Sequence, residues 1–248
     1  PKGPHFAAQA KRVIFLFLTG GLSHIDTFDD KPLLRKFHDQ PRDNGNRYYK
    51  GSMWRHRASG QSGIRISALF PEMARMADEL CVIRSMTTDQ FNHAPAQLFL
   101  HTGFERFGRP GIGSWVSYGL GTENRNLPSY VVLITGSVAG AGNSLWGSGF
   151  LPTLHQGVEF RSEGDPVLFL SNPKGISPGS RRDIVDGINF LNQTTLADVG
   201  DPCRNLRIAQ YELAYRMQSS VPELMDIRRE SATTLEAYGA KPGATSVA

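Results

Sequence analysis

Apolar residues along this chain arrive in short blocks separated by turn-forming Gly, Pro, Asn and Asp. Val13 to Leu18 is an unbroken run of β-forming residues that stops at Thr19-Gly20-Gly21, which predicts a fully buried strand of a parallel sheet. Cys81 to Met86, Tyr130 to Ile134 and Val167 to Leu170 predict three further strands. Elsewhere the spacing is helical. Leu69, Met73, Met76 and Leu80 share one face behind Ser67, a candidate N-cap. A helix over 95–102 opens on Pro95 as its first residue and stops at Gly103, and another covers 111–120. Past Pro178, Ile184, Ile188, Leu191 and Leu196 mark an amphipathic helix ending at Gly200. Asp201 with Pro202 opens the next, through Leu206, Ala209, Leu213 and Met217, and a last short helix spans 233–238.

This alternation predicts an α/β fold in which a mostly parallel central sheet is flanked by helices, as one domain over 1–248. Residues 40–62 read as an irregular insertion, 135–164 as a long Gly-rich loop around Trp146, and 178–240 as a helical segment. Pro1-Lys2-Gly3-Pro4 and the closing Gly243 to Ala248 read as cut ends. The domain is therefore expected to be incomplete at its C-terminus, with some apolar surface lacking its cover.

Composition narrows the classes. With 40% apolar and 20% charged residues the chain is globular rather than disordered. It has no run of about 18 apolar residues that could span a membrane. Lys and Arg exceed Asp and Glu by 27 to 23, and the basic residues are scattered rather than gathered on one stripe, which argues against a nucleic-acid partner. Cys81 and Cys203 are the only cysteines. They offer no zinc spacing, and Cys81 reads as a buried structural thiol.

Two places carry candidate chemistry. The loop after the first predicted strand holds His24 and Asp26, with Asp29 and Asp30 beyond. These are suitable ligands for a divalent metal, zinc or calcium/magnesium, at the carboxyl edge of a sheet; alternatively the acids make turn hydrogen bonds or cap a helix. Asn92-His93-Ala94-Pro95 opens a helix whose free N–H groups attract anions. His93 there suits a nucleophile, a general acid or a metal ligand, or else a hydrogen bond to a neighbouring loop. The chain has no Gly-x-Ser-x-Gly elbow, P-loop, dinucleotide fingerprint or His-Glu-x-x-His helix. Asn192-Gln193-Thr194 matches a glycosylation sequon but falls inside a predicted helix.

Five segments resemble one family: 20–29 around Gly20-Gly21-Leu22-Ser23-His24, Leu80 to Met86, Asn92 to Ala96, Leu145 to Pro152, and Gly164 to Leu168. In this order they resemble the family called domain of unknown function 1501, over nearly the whole chain. That resemblance implies the alkaline phosphatase superfamily fold, and a sulfatase-like, metal-dependent hydrolase of sulfate or phosphate esters, with carbohydrate esters among the candidate substrates. His93-Ala94-Pro95-Ala96-Gln97 with Leu100-His101-Thr102-Gly103 looks like the sulfatase nucleophile helix, placing His93 at the formylglycine position and Gln97 at that of the sulfatase Arg. The standard sulfatase mechanism lacks its Cys or Ser here, and the acids follow Gly20-Gly21 instead of standing at the strand end. The resemblance thus puts Asn92 and His93 at the reacting centre, His24 and Asp26 near the metal, and Gln97, Arg106 and Arg109 on the anion; the two arginines equally suit ordinary surface charges. The remaining ligands would lie beyond this chain, so the chain alone is expected to be inactive. The resemblance also implies export to the periplasm through a leader not included here. The rival reading is a non-catalytic member that binds an anionic glycan or a protein.

Overall fold

The computed structural model describes residues 6–7, 9–134, 140–161, 164–199 and 203–241. Its backbone divides into two compact units, Pro1–Thr88 and Asp89–Ala248.

The first unit runs through α1 (His24–Thr27), α2 (Pro32–Lys36), β1 (Pro41–Arg42), β2 (Arg47–Tyr48), β3 (His56–Ser59), β4 (Ile64–Ser67) and α3 (Pro71–Arg75). Residues 40–62, expected to be irregular, instead supply the antiparallel hairpin β1–β2 and the first strand, β3, of a second antiparallel hairpin, β3–β4. In the second, His56 stands opposite Ser67 and Ser59 opposite Ile64. The alternation of Ile64 and Ile66 with polar residues suits a strand that is buried on one side. The hairpin turn is clasped by Asp78, whose carboxylate accepts the N–H groups of Gln61 (2.9 Å) and Ser62 (2.7 Å). Those two bonds hold the Asp78 carboxyl below the usual carboxylate range. Gly60 sits at φ +64° with no room for a Cβ beside that carboxylate, which is why glycine occupies the turn.

Four expectations fail in this unit. Val13–Leu18 and Cys81–Met86 form no strand, and Ile14 and Leu16 are more than four-fifths exposed. A strand needs a neighbour for its N–H and C=O groups, and neither segment enters a strand pairing among the described residues. Cys81, expected to be buried, is exposed. Ser67 ends β4 instead of capping a helix, and the helix begins only at Pro71.

The second unit contains α4 (His93–Thr102), α5 (Ile112–Leu120), β5 (Val131–Leu133), β6 (Val158–Phe160), α6 (Pro178–Val199), α7 (Cys203–Met225) and α8 (Ala232–Ala237). β5 and β6 pair in parallel, Val131 opposite Val158. The fold is thus mixed helix and sheet, but the described residues hold only three two-stranded sheets, two of them antiparallel. The expected mostly parallel central sheet is not among them. Nor is Val167–Leu170 a strand; it turns, exposing Leu168 and Phe169 and burying Leu170. The capping residues expected at Gly200, Asp201 and Pro202 lie outside the described residues.

The helices follow the sequence period closely. Leu213, Met217 and Val221 form a stripe along α7 that meets Phe160 at the end of β6 and Leu170. α6 packs antiparallel to α7, tied by Arg182 to Glu212 (2.7 Å) and by Asn189 to the same carboxylate (2.6 Å). Residues 145–151 explain their glycines by contact. Gly111 donates to the Gly147 carbonyl (3.0 Å), as does the Ser114 hydroxyl (3.1 Å). A Cβ on Gly149, at φ +56°, would lie 2.5 Å from the Arg109 carbonyl carbon.

Candidate functional site

α4 starts at His93, two residues before the expected start at Pro95. Asn92 is the N-cap, with extended backbone and no side-chain cap bond, so His93 is the first helical residue and Pro95 the third. The Asn92 carbonyl accepts the Ala96 N–H (3.0 Å), and Pro95 has no N–H to leave open. The backbone N–H groups of His93 and Ala94 therefore remain as the open donors of the first turn. Both Asn92 and His93 are exposed. At the other end Gly103, at φ +70°, donates to the Phe99 carbonyl and terminates the helix.

One face of α4, Gln97, Leu98 and His101, is buried, while Phe99 and Leu100 are exposed. Gln97 is buried, and its Oε1 accepts the Ala141 N–H at 3.3 Å. Gly140 lies against the first turn, where an added Cβ would stand 3.7 Å from that of Ala94. His101 is buried too, and burial pushes its pKa below the ordinary imidazole value. Arg106 and Arg109 follow the helix and are both exposed. The Arg109 guanidinium lies 4.6 Å from the centre of the Phe104 ring, while Arg106 enters no ion pair among the described residues.

In the first unit, His24 and Asp26 share α1. The Ser23 hydroxyl donates to Asp26 (2.6 Å). With Ser52 also bonded to it and His56 and His24 nearby, Asp26 is held below the usual carboxylate range. Asp29 is paired with Lys31 at 2.7 Å, and Asp30, almost fully enclosed, binds Arg65 (2.6 Å) and Arg35 (3.1 Å). His56 completes this group: its ring is fully buried, with Nδ1 3.8 Å from Asp30. Nothing in the sequence singled out His56, because it lies in a stretch read as irregular; the period-two alternation of the neighbouring β4 was the available signal.

The structure thus groups Asn92, His93 and Gln97 on one helix, and His24 with Asp26 on another, in separate units. A metal site needs at least three converging ligands, and no group of three His, Cys, Asp or Glu residues among the described residues could hold a metal. Asp29 and Asp30 are committed to cations of the chain itself. The described residues do not by themselves fit the divalent ion that the resemblance implies.

No described helix is long and apolar enough to cross a membrane. No curated protein and no solved structure matches the chain. Residues 10–248 match the family model described as protein of unknown function (DUF1501), and the chain belongs to that family.

Proposed function

We propose that this chain serves the hydrolysis of sulfate or phosphate esters, with the start of α4 as its reacting centre. The observation that carries the reading is the exposed His93 at the first position of a ten-residue helix, beside two open backbone N–H groups and an Asn92 side chain not used as a cap. An ester oxyanion at that point is stabilised by the N–H donors and the helix dipole. The His93 imidazole then either attacks the central atom, breaking its bond to the leaving alkoxide, which takes a proton from water, with a second water cleaving the histidine adduct, or it takes the proton of a water that attacks directly and passes it to the leaving alkoxide. Arg106, in the segment after the helix, has no ion-pair partner among the described residues and suits the ester's anion. Gln97 supports the site from below by holding the 140–141 backbone against α4.

We derive no step through a metal. If a divalent ion is bound, His24 and Asp26 supply two of its ligands, Asp26 being kept ionised by its hydroxyl partners. We further propose export, on the family resemblance.

One observation favours a second reading, a non-catalytic member that binds an anionic glycan or a protein: position 93 carries neither the Cys nor the Ser that the sulfatase pattern uses as nucleophile. Turnover of 4-nitrophenyl sulfate and 4-nitrophenyl phosphate by the full-length protein, with and without His93, separates the two.

A further inference from the structure

Arg161, side chains of the 165–173 stretch and Arg181 in the first turn of α6 line an open cavity of about 650 Å³, within the range of small-molecule sites. Its wall includes Arg161, Arg181, Asp165, Ser171, Leu168 and Phe169, none of which takes part in the α4 site.

Charge and hydrogen bonding on this wall are out of balance. Asp165 is committed, accepting the Ser171 hydroxyl at 2.6 Å and the Ser171 N–H at 3.4 Å. Neither guanidinium has a carboxylate partner among the described residues. The Arg181 Nε is shielded from solvent and has no acceptor among the described residues, a state that is costly unless something else supplies one. A planar guanidinium fork matches an oxyanion.

Phe169 adds an independent observation. It stands at φ +60°, a backbone conformation that bulky residues avoid, and its ring is 89% exposed. Burial does not explain an aromatic held there, since the neighbouring Leu170 provides the core contact. Strain of this kind collects at binding sites. With Leu168, the ring forms an apolar wall suited to the face of a cyclic ligand.

We propose that this cavity binds a small anionic saccharide, its acidic group on Arg161 and Arg181 and its ring against Phe169. The site is independent of ester hydrolysis at α4.

Calorimetric titration of the 248-residue chain with glucose 6-sulfate, glucose 6-phosphate, glucuronate, glucose and inorganic sulfate tests it. At least one acidic sugar should bind ten times or more as tightly as either glucose or inorganic sulfate, and which one does so identifies the acidic group. Arg161→Gln and Arg181→Gln should each weaken that binding at least tenfold. Phe169→Gly should weaken the acidic sugar but not inorganic sulfate, and should not lower the melting temperature, because glycine accepts φ +60° freely. His93→Ala should leave the titration unchanged, so that failure of the hydrolytic reading does not touch this one. Equal binding of inorganic sulfate and the acidic sugars, no acidic sugar binding at all, or affinity unchanged by both arginine variants would overturn the proposal; unchanged affinity in Phe169→Gly would remove the ring wall from it.

Discussion

Gln97 accepts the Ala141 N–H at 3.3 Å, joining the middle of α4 to the start of the Gly-rich segment. Both groups are buried, so the bond has no water to replace it. Removing the acceptor in Gln97→Ala should cost about 1–3 kcal/mol, the penalty for a buried donor left unpaired. Urea denaturation should show the lower midpoint, and hydrogen exchange should show the Ala141 amide losing protection. A variant as stable as the wild type, altered only in substrate KM, would place Gln97 on the substrate instead.

The glycines of the second unit divide into required and replaceable ones. Gly149 combines φ +56° with backbone atoms of Arg109 and Pro110 at 2.5 Å from any added Cβ, whereas Gly119, within α5, has nothing within 4 Å. Gly149→Ala should therefore destabilise by about 2 kcal/mol or more through strain and displaced backbone. Gly119→Ala should stabilise by about 0.5–1 kcal/mol, because alanine loses less entropy in a helix. Thermal melts of the two variants should move in opposite directions.

The α6–α7 pair should be sensitive to acid. Glu212 is held below the usual carboxylate range mainly by its hydrogen bond to Arg182, and Asp186 likewise. Asp226, bonded to Arg228, is brought down from 3.8 to about 2. A carboxyl whose folded pKa is depressed stabilises the fold fully above its unfolded pKa and loses that contribution as pH falls through the folded value. The loss should begin near the ordinary glutamate value of 4.5 for Glu212 and extend toward about 2 for Asp226, just past the end of α7. Denaturant midpoints followed downward from pH 5 should fall across that range, and Glu212→Gln should flatten the upper part of the curve. An identical slope in the variant would show that Glu212 does not contribute.

The long helices and one strand, β5 within the expected Tyr130–Ile134, were legible and the other strands were not, for a physical reason. A helix satisfies its own backbone, so the spacing of Leu213 and Met217 and the stop at Gly103 carry most of the information. A strand is completed by residues distant in sequence. Val13–Leu18 has the composition of a buried strand but no pairing among the described residues, while the Arg-rich stretch before Ile64 pairs in register because a turn closed by Asp78 brings it back. At the site, Asn-His-Ala-Pro located the start of α4 to within two residues, since capping and proline rules are local. The Asp30–His56 approach depended on the β3–β4 hairpin and left no such trace. Gln97 was legible as a polar residue on α4, but its bond to Ala141 spans 44 positions, and no local rule reaches that far.

The central claim is that His93 at the start of α4 performs ester hydrolysis. Its most direct test is the steady-state turnover of 4-nitrophenyl sulfate and 4-nitrophenyl phosphate by the purified full-length protein, with divalent metal supplied, for wild type, His93→Ala and Asp26→Ala. His93 is exposed, so its replacement should leave the circular dichroism spectrum and melting temperature unchanged. The account predicts turnover of at least one ester by the wild type and a loss of about 100-fold or more in kcat for His93→Ala, the scale expected of an acid–base or nucleophilic group. Asp26→Ala loses turnover if Asp26 holds the supplied divalent ion and keeps it if it does not. Wild-type rates in a folded His93→Ala variant, or no turnover of either ester by the wild-type protein, would contradict it.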